Sequence, residues 1–546
     1  MPVSVAIATI EFEDRKFVPP RTGAVTIIEN QTIRIGRDPD PEQNSLVFKD
    51  HSVSRNHLEI YSIVVDDQGR HNPLVFVRDR QTVNGTFVNN QLIARGPTVS
   101  AGQLLQDGDV IEIKPTVIIR FSQPQTASTT AKLTSSQREE TALFADKYTI
   151  IDRTIGDGAS SVVYLAVEKR TGKQVVCKVH NLAKGLRSLR KLQRIRQEAI
   201  LMSYLDHPNI LSFRAAFQTP QTMYIFTELA TGGDLFSLFT RYEVFKEIEI
   251  RWIVRQILHA VVYIHGKGVA HRDIKPENIL CAIAPDASYR IILSDFGDSA
   301  MTSAGRMRSE VGTTFYRAPE CHTTDQGHNL SVDIWAIGML TLQLLAGSQE
   351  LPGVFEADLS SQEGIDDFLT MNLDDIYLGK ITQNGNDFIR CCLQYDSEER
   401  ITALEASRHV WLHTPTEDAE LFRGLEAQST AGWEPRGIML PVIEDLTEKS
   451  LATEEDSRRD TANNTASRHF AARENIPPLL AHVRPQDALS RPGQVAQGPL
   501  PVRSKDLNPL RSESGETVER TVGSAEKRRT IDEGVELSKR RRPNSV

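Results

Sequence analysis

The sequence predicts a multidomain chain: an all-β sandwich, then an α+β domain, then a disordered C-terminal tail. Three observations predict it. Short alternating apolar runs separated by turn signals fill residues 1–122; strand-like runs followed by helical periodicity begin near Lys147; and apolar patterning fades beyond about residue 415. The 546 residues leave room for three or four units, at roughly 150 residues each.

In residues 1–122 the strand candidates are TIRIG, HLEIYSIVV, PLVFVRD, TFVNN and VIEIKPTVIIRF, punctuated by DDQG, NG and DGD. Residues 123–147 are polar and rich in Ser and Thr, and read as a linker. From residue 148 to 413 the texture is strand then helix. TIIDRTIG, SVVYLAV and QVVCKVH are strand-like; RSLRKLQRIRQEAILMSYL then carries Leu192, Ile195, Ala199 and Met202 at helical spacing. RWIVRQILHAVVYIHGKG is a later helix ending in glycines, as a helix C-terminus should. Residues 414–546 are Glu-, Arg-, Ser- and Pro-rich with few aromatics, too little apolar surface to offset ordering entropy. One exception, RGIMLPVIEDL, is apolar enough to dock on the preceding domain.

The bulk numbers exclude several classes. Hydrophobic residues make up 39% and charged residues 25%, so much of the chain can bury a core. A net charge of −9 gives no case for direct nucleic-acid binding. The start, MPVSVAIATIEFEDRKF, lacks a basic n-region and does not read as a signal peptide. No run of eighteen apolar residues occurs, so no membrane span is expected. Cys177, Cys281, Cys321, Cys391 and Cys392 show neither zinc spacing nor a secreted-type framework, which points to a reducing compartment.

The strongest chemical signal is HRDIKPENIL at 271–280 followed by SDFG at 294–297. Phosphoryl transfer needs a carboxylate near the attacking hydroxyl, a cation on the moving phosphate, and ligands for magnesium. The first loop offers Asp273, Lys275 and Asn278, and the second Asp295. Either alone reads as a turn; the ordered pair, separated by a β-like segment, does not. This constellation resembles the eukaryotic protein kinases, over about residues 148–413, and the other landmarks follow in order. IGDGASSVV (155–163) looks like the glycine-rich loop, Lys178 in VVCKVH like the strand lysine, and Glu198 like its ion-pair partner; a surface pair with Arg194 is the alternative for Glu198. GTTFYRAPE, DIWAIG and ERITALEASRHVW match substrate-lobe landmarks, with Arg400 the expected buried partner of Glu320.

The resemblance implies a bilobal α+β kinase fold using ATP and Mg2+. It implies catalytic roles for Asp273, Lys275, Lys178 and Glu198, and magnesium ligation by Asn278 and Asp295. It implies nucleotide contacts from Ile155, Gly156, Gly158, Val163, Lys178, Glu228, Ala230 and Asp234, with Thr227 as gatekeeper. Lys275 and Thr313 resemble the serine/threonine-specific branch. Asp234 and Glu277 sit where arginine-directed relatives face an upstream Arg of the substrate; the alternative is that Asp234 only binds ribose. Arg272 implies activation by loop phosphorylation, with Ser309 the best acceptor and Thr313 a lesser one. Three departures stand out: Ser161 in place of a loop glycine, Val176 above adenine, and the acidic Asp298 after DFG.

In the N-terminal segment, IRIGRDPD, SVSRNH and TVNGTFVN supply Gly36-Arg37, Ser54-x-x-His57 and Asn84-Gly85 in order. The set resembles the forkhead-associated (FHA) domain, a phosphothreonine reader. By that resemblance Arg37, Ser54 and Arg55 meet the phosphate, Asn84 holds the ligand backbone, and His57 ties loops together. Val83 stands where the family often has Ser or Thr, removing one phosphate donor.

An FHA domain ahead of a calcium/calmodulin-kinase-like domain resembles the DNA-damage and meiotic checkpoint effector kinases, especially fungal forms. The expected function is a serine/threonine kinase recruited to phosphothreonine-bearing partners and acting on proteins with Arg upstream of Ser or Thr. An upstream activating kinase and transient self-association are expected partners, although the linker has only Ser122-Gln123 and Ser136-Gln137 and no dense Thr-Gln cluster. The alternatives are a phospho-dependent scaffold with a weak or silent kinase, and a meiosis-specific kinase. KRR (527–529) and KRRR (539–542) read either as a bipartite nuclear import signal or as a solvated basic end, so the nucleus is the expected location, with the cytoplasm a further one.

Overall fold

The structure is a computed structural model that describes residues 6–447, except 65–72, 97–98, 125–131, 159–160, 183–185, 242–244, 284–288, 302–313, 323–328, 348–350, 352–357, 377–378, 431–432, 434 and 437–441. The N-terminal strands form two sheets. One runs in the order Arg21–Ile28, Ala6–Asp14, Val117–Ser122, Val110–Ile113, Thr86–Val88 and Gln91–Ala94; the other is Leu46–Val47, Thr32–Gly36, Leu58–Ile63, Leu74–Asp79 and Gln103–Leu104. Their facing apolar residues, among them Ile10, Phe12, Ile33, Ile35, Val77 and Ile119, close one core. This is the expected sandwich.

Two strands depart from simple alternation. Leu58–Ile63 and Leu74–Asp79 are buried along their whole length. The period of two explains how. Leu58, Ile60, Val75 and Val77 point into the sandwich, whereas Tyr61, Ile63, Leu74 and Phe76 point out and pack with Leu165 of the second domain.

The second domain has two lobes. The smaller is a sheet in the order Tyr148–Gly158, Ser161–Glu168, Gln174–Asn181, Thr222–Glu228, Phe213–Gln218 and Ile443–Asp445, with the helix Leu186–Tyr204 beside it. The larger is helical. Val332–Ala346 is buried on nearly all sides, as its continuous apolar sequence requires, and packs with Glu247–His265 and Gln383–Cys392 in one core.

Two expectations need correction. Residues 123–147 are not only a linker: Ser135–Thr141 is a helix closed by a capping box between Thr134 and Gln137. Its polar residues are used internally, because Glu140 accepts hydrogen bonds from Thr219 (2.8 Å) and Tyr224 (2.7 Å). Phe144 then stacks on Phe217 at 4.7 Å. Likewise, the segment after residue 414 begins as structure. The helix Thr416–Ser429 stacks Phe422 on Trp252 at 5.7 Å and pairs Asp418 with Arg251 and Glu426 with Arg255. The docking expected of RGIMLPVIEDL is seen in its described parts. Arg436 donates to the carbonyls of Met202 and Leu205, and Ile443–Asp445 adds a parallel strand to the small-lobe sheet.

Candidate active site

The loop after Ala270 is fixed from behind by a buried carboxylate. Asp333 accepts the backbone N–H groups of His271 (2.8 Å) and Arg272 (2.7 Å) and meets His265 Nε2 at 2.8 Å. Burial alone would raise its pKa, but those hydrogen bonds and the nearby histidines outweigh it and hold Asp333 ionised. The anchor supports an unfavourable backbone: Arg272 has φ 72° and Asp295 has φ 58°, left-handed values that cost non-glycine residues energy.

Within that loop Asp273, Lys275 and Asn278 converge. Lys275 Nζ lies 2.8 Å from Asp273 Oδ2, and the Asn278 amide donates to Asp273 Oδ2 (2.7 Å) and to its carbonyl (2.8 Å). With both amide hydrogens committed to Asp273, the Asn278 oxygen remains an acceptor suited to a cation. His271 Nε2 is 2.9 Å from the Ser294 carbonyl and its ring packs edge-on against Phe296, which joins this loop to the Asp295 loop.

A second group forms where the small lobe meets Asp295. Lys178 Nζ is 3.1 Å from Glu198 Oε1 and 3.7 Å from Asp295 Oδ1. Burial would lower the Lys178 pKa, but the two carboxylates outweigh it and raise the value. Burial likewise pushes Asp295 up, and Lys178, the Gly297 N–H, His271 and Lys275 together bring it below the ordinary range. The alternative partner of Glu198 is not the one found: Arg194 donates to the Gly297 carbonyl at 2.8 Å and pairs with Asp298. The acid after Phe296-Gly297 is therefore neutralised locally.

Between the lobes, Glu228 turns its carboxylate away, accepting from Ser212 N (2.9 Å) and pairing with Arg290, so only its backbone faces the cleft. Thr227 is buried beside it, opposite Val176 in the sheet. Asp234 accepts from Ser237 N at 2.7 Å. Its pKa is raised by burial, with a further push from the Glu277 carboxylate, partly offset by the Ser237 hydrogen bonds. Gly156 and Gly158 lie on the strand that pairs with Val163 and Ser161. A Cβ on Gly156 would meet nothing within 4 Å, leaving room for a ligand over that backbone. The donor set suits a nucleotide with a divalent cation: an ionised carboxylate, an amide oxygen and a charged lysine meet at one cleft. Ser309 and Thr313 lie outside the described residues.

The N-terminal loops are held differently. The Arg37 N–H donates to the Ser54 (2.9 Å) and Arg55 (3.0 Å) carbonyls, and its Nε donates to the Val53 carbonyl at 3.1 Å. That close approach excludes a side chain at residue 36, where a Cβ would lie 2.0 Å from the Arg55 carbonyl oxygen. Ser54 N donates to His57 Nδ1 at 2.9 Å, so Nε2 carries the ring proton and faces the Gly85 carbonyl at 3.3 Å. Burial lowers the His57 pKa to about 4 despite Asp79 and Gly85. Asn84 donates to the Ser52 carbonyl at 2.7 Å, and Gly85 takes φ 83°. Arg37, Ser54, Arg55 and Asn84 thus sit on adjoining loops, Arg55 and Asn84 exposed, with Val83 beside them 84% exposed.

Sequence reasoning missed two contributors: Asp333 as the anchor of the catalytic loop, and Arg194 as the partner of Asp298. The helical spacing of Arg194, four residues before Glu198, was the available signal, but it suggested a bond along the helix rather than across to the Asp295 loop.

Comparison with known proteins matches these two regions separately. The protein kinase domain family matches residues 149–412, and the FHA domain family matches residues 33–114. The meiosis-specific serine/threonine-protein kinase mek1 of Schizosaccharomyces pombe is 30% identical over 403 residues, covering 72% of this chain and 83% of that protein. The serine/threonine-protein kinase RAD53 of Saccharomyces cerevisiae is 28% identical over 403 residues, 66% of this chain and 47% of that protein. A calcium/calmodulin-dependent protein kinase type 1 of Macrobrachium nipponense is 33% identical over 291 residues, 53% of this chain and 82% of that protein.

Proposed function

The chain belongs to the serine/threonine protein kinases that carry an FHA domain, and on that premise we propose how its residues divide the work. Asp273 takes the proton of the substrate hydroxyl as its oxygen attacks the terminal phosphorus of ATP, and ADP leaves. Lys275 balances charge on the moving phosphoryl group, and Lys178, set by Glu198, holds the other phosphates. Asn278 and Asp295 hold magnesium, which supplies charge neutralisation at the phosphates. Ile155, Gly156, Gly158 and Val163 cover the nucleotide, and the backbone of Glu228 and Ala230 with Asp234 receives its base and sugar.

The observation that carries this reading is the pairing of two charged groups, Lys178–Glu198–Asp295 with one carboxylate in excess and Asp273–Lys275–Asn278 with none, at one cleft. It favours a working enzyme over a scaffold with a silent kinase. Of the two departures that favour the scaffold, Asp298 is neutralised by Arg194, which leaves only Val176. The test is phosphorylation of a peptide with Arg three residues before Ser, by the wild-type chain and by Asp273→Ala.

Substrate choice and partners extend the proposal. Asp234 and Glu277 are close enough for one carboxylate to shift the other, a pair that favours a guanidinium three residues upstream of the target. Replacing that Arg with Ala should raise the peptide KM. The loops bearing Arg37, Ser54, Arg55 and Asn84 would bind a phosphothreonine protein and bring the kinase to it. Trans-phosphorylation at Ser309 or Thr313, by a second copy or an upstream kinase, would follow. The similarity to a meiotic kinase supports a role in meiotic or checkpoint signalling, and the basic pair at 527–542 supports nuclear entry.

A further inference from the structure

The outer face of the FHA sheet meets the kinase at its hinge. Tyr61, Ile63, Leu74, Phe76 and Leu104 form one buried cluster with Leu165, and Ile151, Ile155 and Leu229 pack against it. Ile155 opens the glycine-rich segment, and Leu229 lies between Glu228 and Ala230 in the hinge. Polar bonds fix the register. Gln174 accepts from Leu104 N at 2.7 Å and donates to the Leu104 carbonyl at 2.9 Å. The Arg153 guanidinium donates to the Leu105 carbonyl and to Gln123 Oε1.

The contact does not stop at the small lobe. The Tyr61 hydroxyl donates to the Thr231 carbonyl at 3.1 Å, beyond the hinge. A Cβ at Gly233 would lie 3.1 Å from Ile63 Cγ2, and one at Gly102 would lie 2.1 Å from the Tyr61 hydroxyl oxygen. One rigid sheet therefore grips the roof strand, the hinge and the first residues after it. A kinase binds adenine between that roof and that hinge, and releases it when the lobes part. Any body that grips both sides of the hinge restricts that parting.

We infer that the FHA domain braces the hinge of the nucleotide site from outside, and that Gln174, Arg153 and Tyr61 are positioning residues that set the affinity for ATP without touching it. The inference rests on the kinase reading above. It gives the FHA domain a second task, independent of phosphothreonine.

The experiment uses the full chain and two separate disruptions. Gln174→Ala with Arg153→Ala removes the polar ties from the kinase side. Gly102→Ala instead places a methyl group against Tyr61 and Thr231 from the FHA side. Three quantities are read: KM for ATP, kcat at saturating ATP, and the Kd of a phosphothreonine peptide. Both variants should raise the KM for ATP about three- to tenfold. They should leave kcat within about twofold and the peptide Kd unchanged. A KM for ATP equal to wild type in either folded variant overturns the inference, as does a fall in kcat with KM unchanged. Should the double variant not fold, Gly102→Ala decides alone. A wild-type chain that phosphorylates no peptide would instead overturn the kinase reading, so the two failures are distinct.

Discussion

The two regions proposed to meet phosphate, the kinase cleft and the FHA loops, are built on different plans. In the kinase cleft the charged groups contact one another directly: Lys178 with Glu198 and Asp295, Lys275 with Asp273. In the FHA loops the proposed ligand contacts are held mainly by hydrogen bonds: backbone carbonyls hold Arg37 and Asn84, a neutral His57 ties the loops, and the Asp79 carboxylate accepts from Thr82 and Thr86 on either side of Asn84. Removing Lys178, Lys275 or Asp273 leaves a partner's charge uncompensated inside a partly buried site. The reacting site brings charged groups into direct contact, which gives it the preorganised electrostatics that phosphoryl transfer uses.

The largest expected effect lies in the cleft. Asp273→Ala should lower kcat for peptide phosphorylation by about a hundred- to ten-thousandfold, the usual span for a positioned general base. Binding of a phosphothreonine peptide should be unchanged. Peptide turnover assays with parallel titration calorimetry check both halves.

Next is the pH response of the FHA loops. The unfolded chain protonates a histidine near pH 6.5, whereas the folded domain keeps His57 neutral to about pH 4. The unfolded state therefore binds the extra proton between those values, and folding stability must fall as pH falls. Stability is full above pH 6.5 and declines by up to about 3 kcal/mol as pH approaches 4. Hydrogen exchange of residues 52–57 in the full chain, followed from pH 7 to 4.5, should show the loss, and His57→Asn should flatten that slope.

Arg37→Ala should weaken phosphothreonine-peptide binding by about ten- to a hundredfold, in keeping with about 1.5–3 kcal/mol for a hydrogen bond to a charged group. Its kcat on a free peptide should match wild type. Smallest is Val83→Thr, which restores a hydroxyl beside Asn84 and should tighten the same peptide about two- to tenfold, from about 0.5–1.5 kcal/mol for one hydrogen bond.

Both sites were legible in the sequence because each is a short motif with fixed local spacing. HRDIKPENIL and SDFG carry their roles wherever the fold places them, and so does the Ser54-x-x-His57 step. What stayed hidden was pairing between distant segments. The helix Ser135–Thr141 has an apolar-poor sequence, and Thr219 and Tyr224, its hydrogen-bond partners, lie some eighty residues on. LEIYSI alternates as a strand should, yet nothing local says that Tyr61 and Ile63 face a second domain rather than water. Asp333 reads as part of DIWAIG, and its use by His271 and Arg272 appears only in three dimensions. The pairing of Arg194 with Asp298 stayed hidden for the same reason, because helix spacing offered Glu198 as its only local partner.

The central claim is that one chain reads phosphothreonine and transfers phosphate at separate sites. Its most direct test is a crossed measurement on the full-length chain: phosphothreonine-peptide Kd and peptide kcat, each for Asp273→Ala and Arg37→Ala. The account predicts that Asp273→Ala loses turnover and keeps binding, while Arg37→Ala loses binding and keeps turnover. Retained turnover in Asp273→Ala, or retained binding in Arg37→Ala, would contradict it.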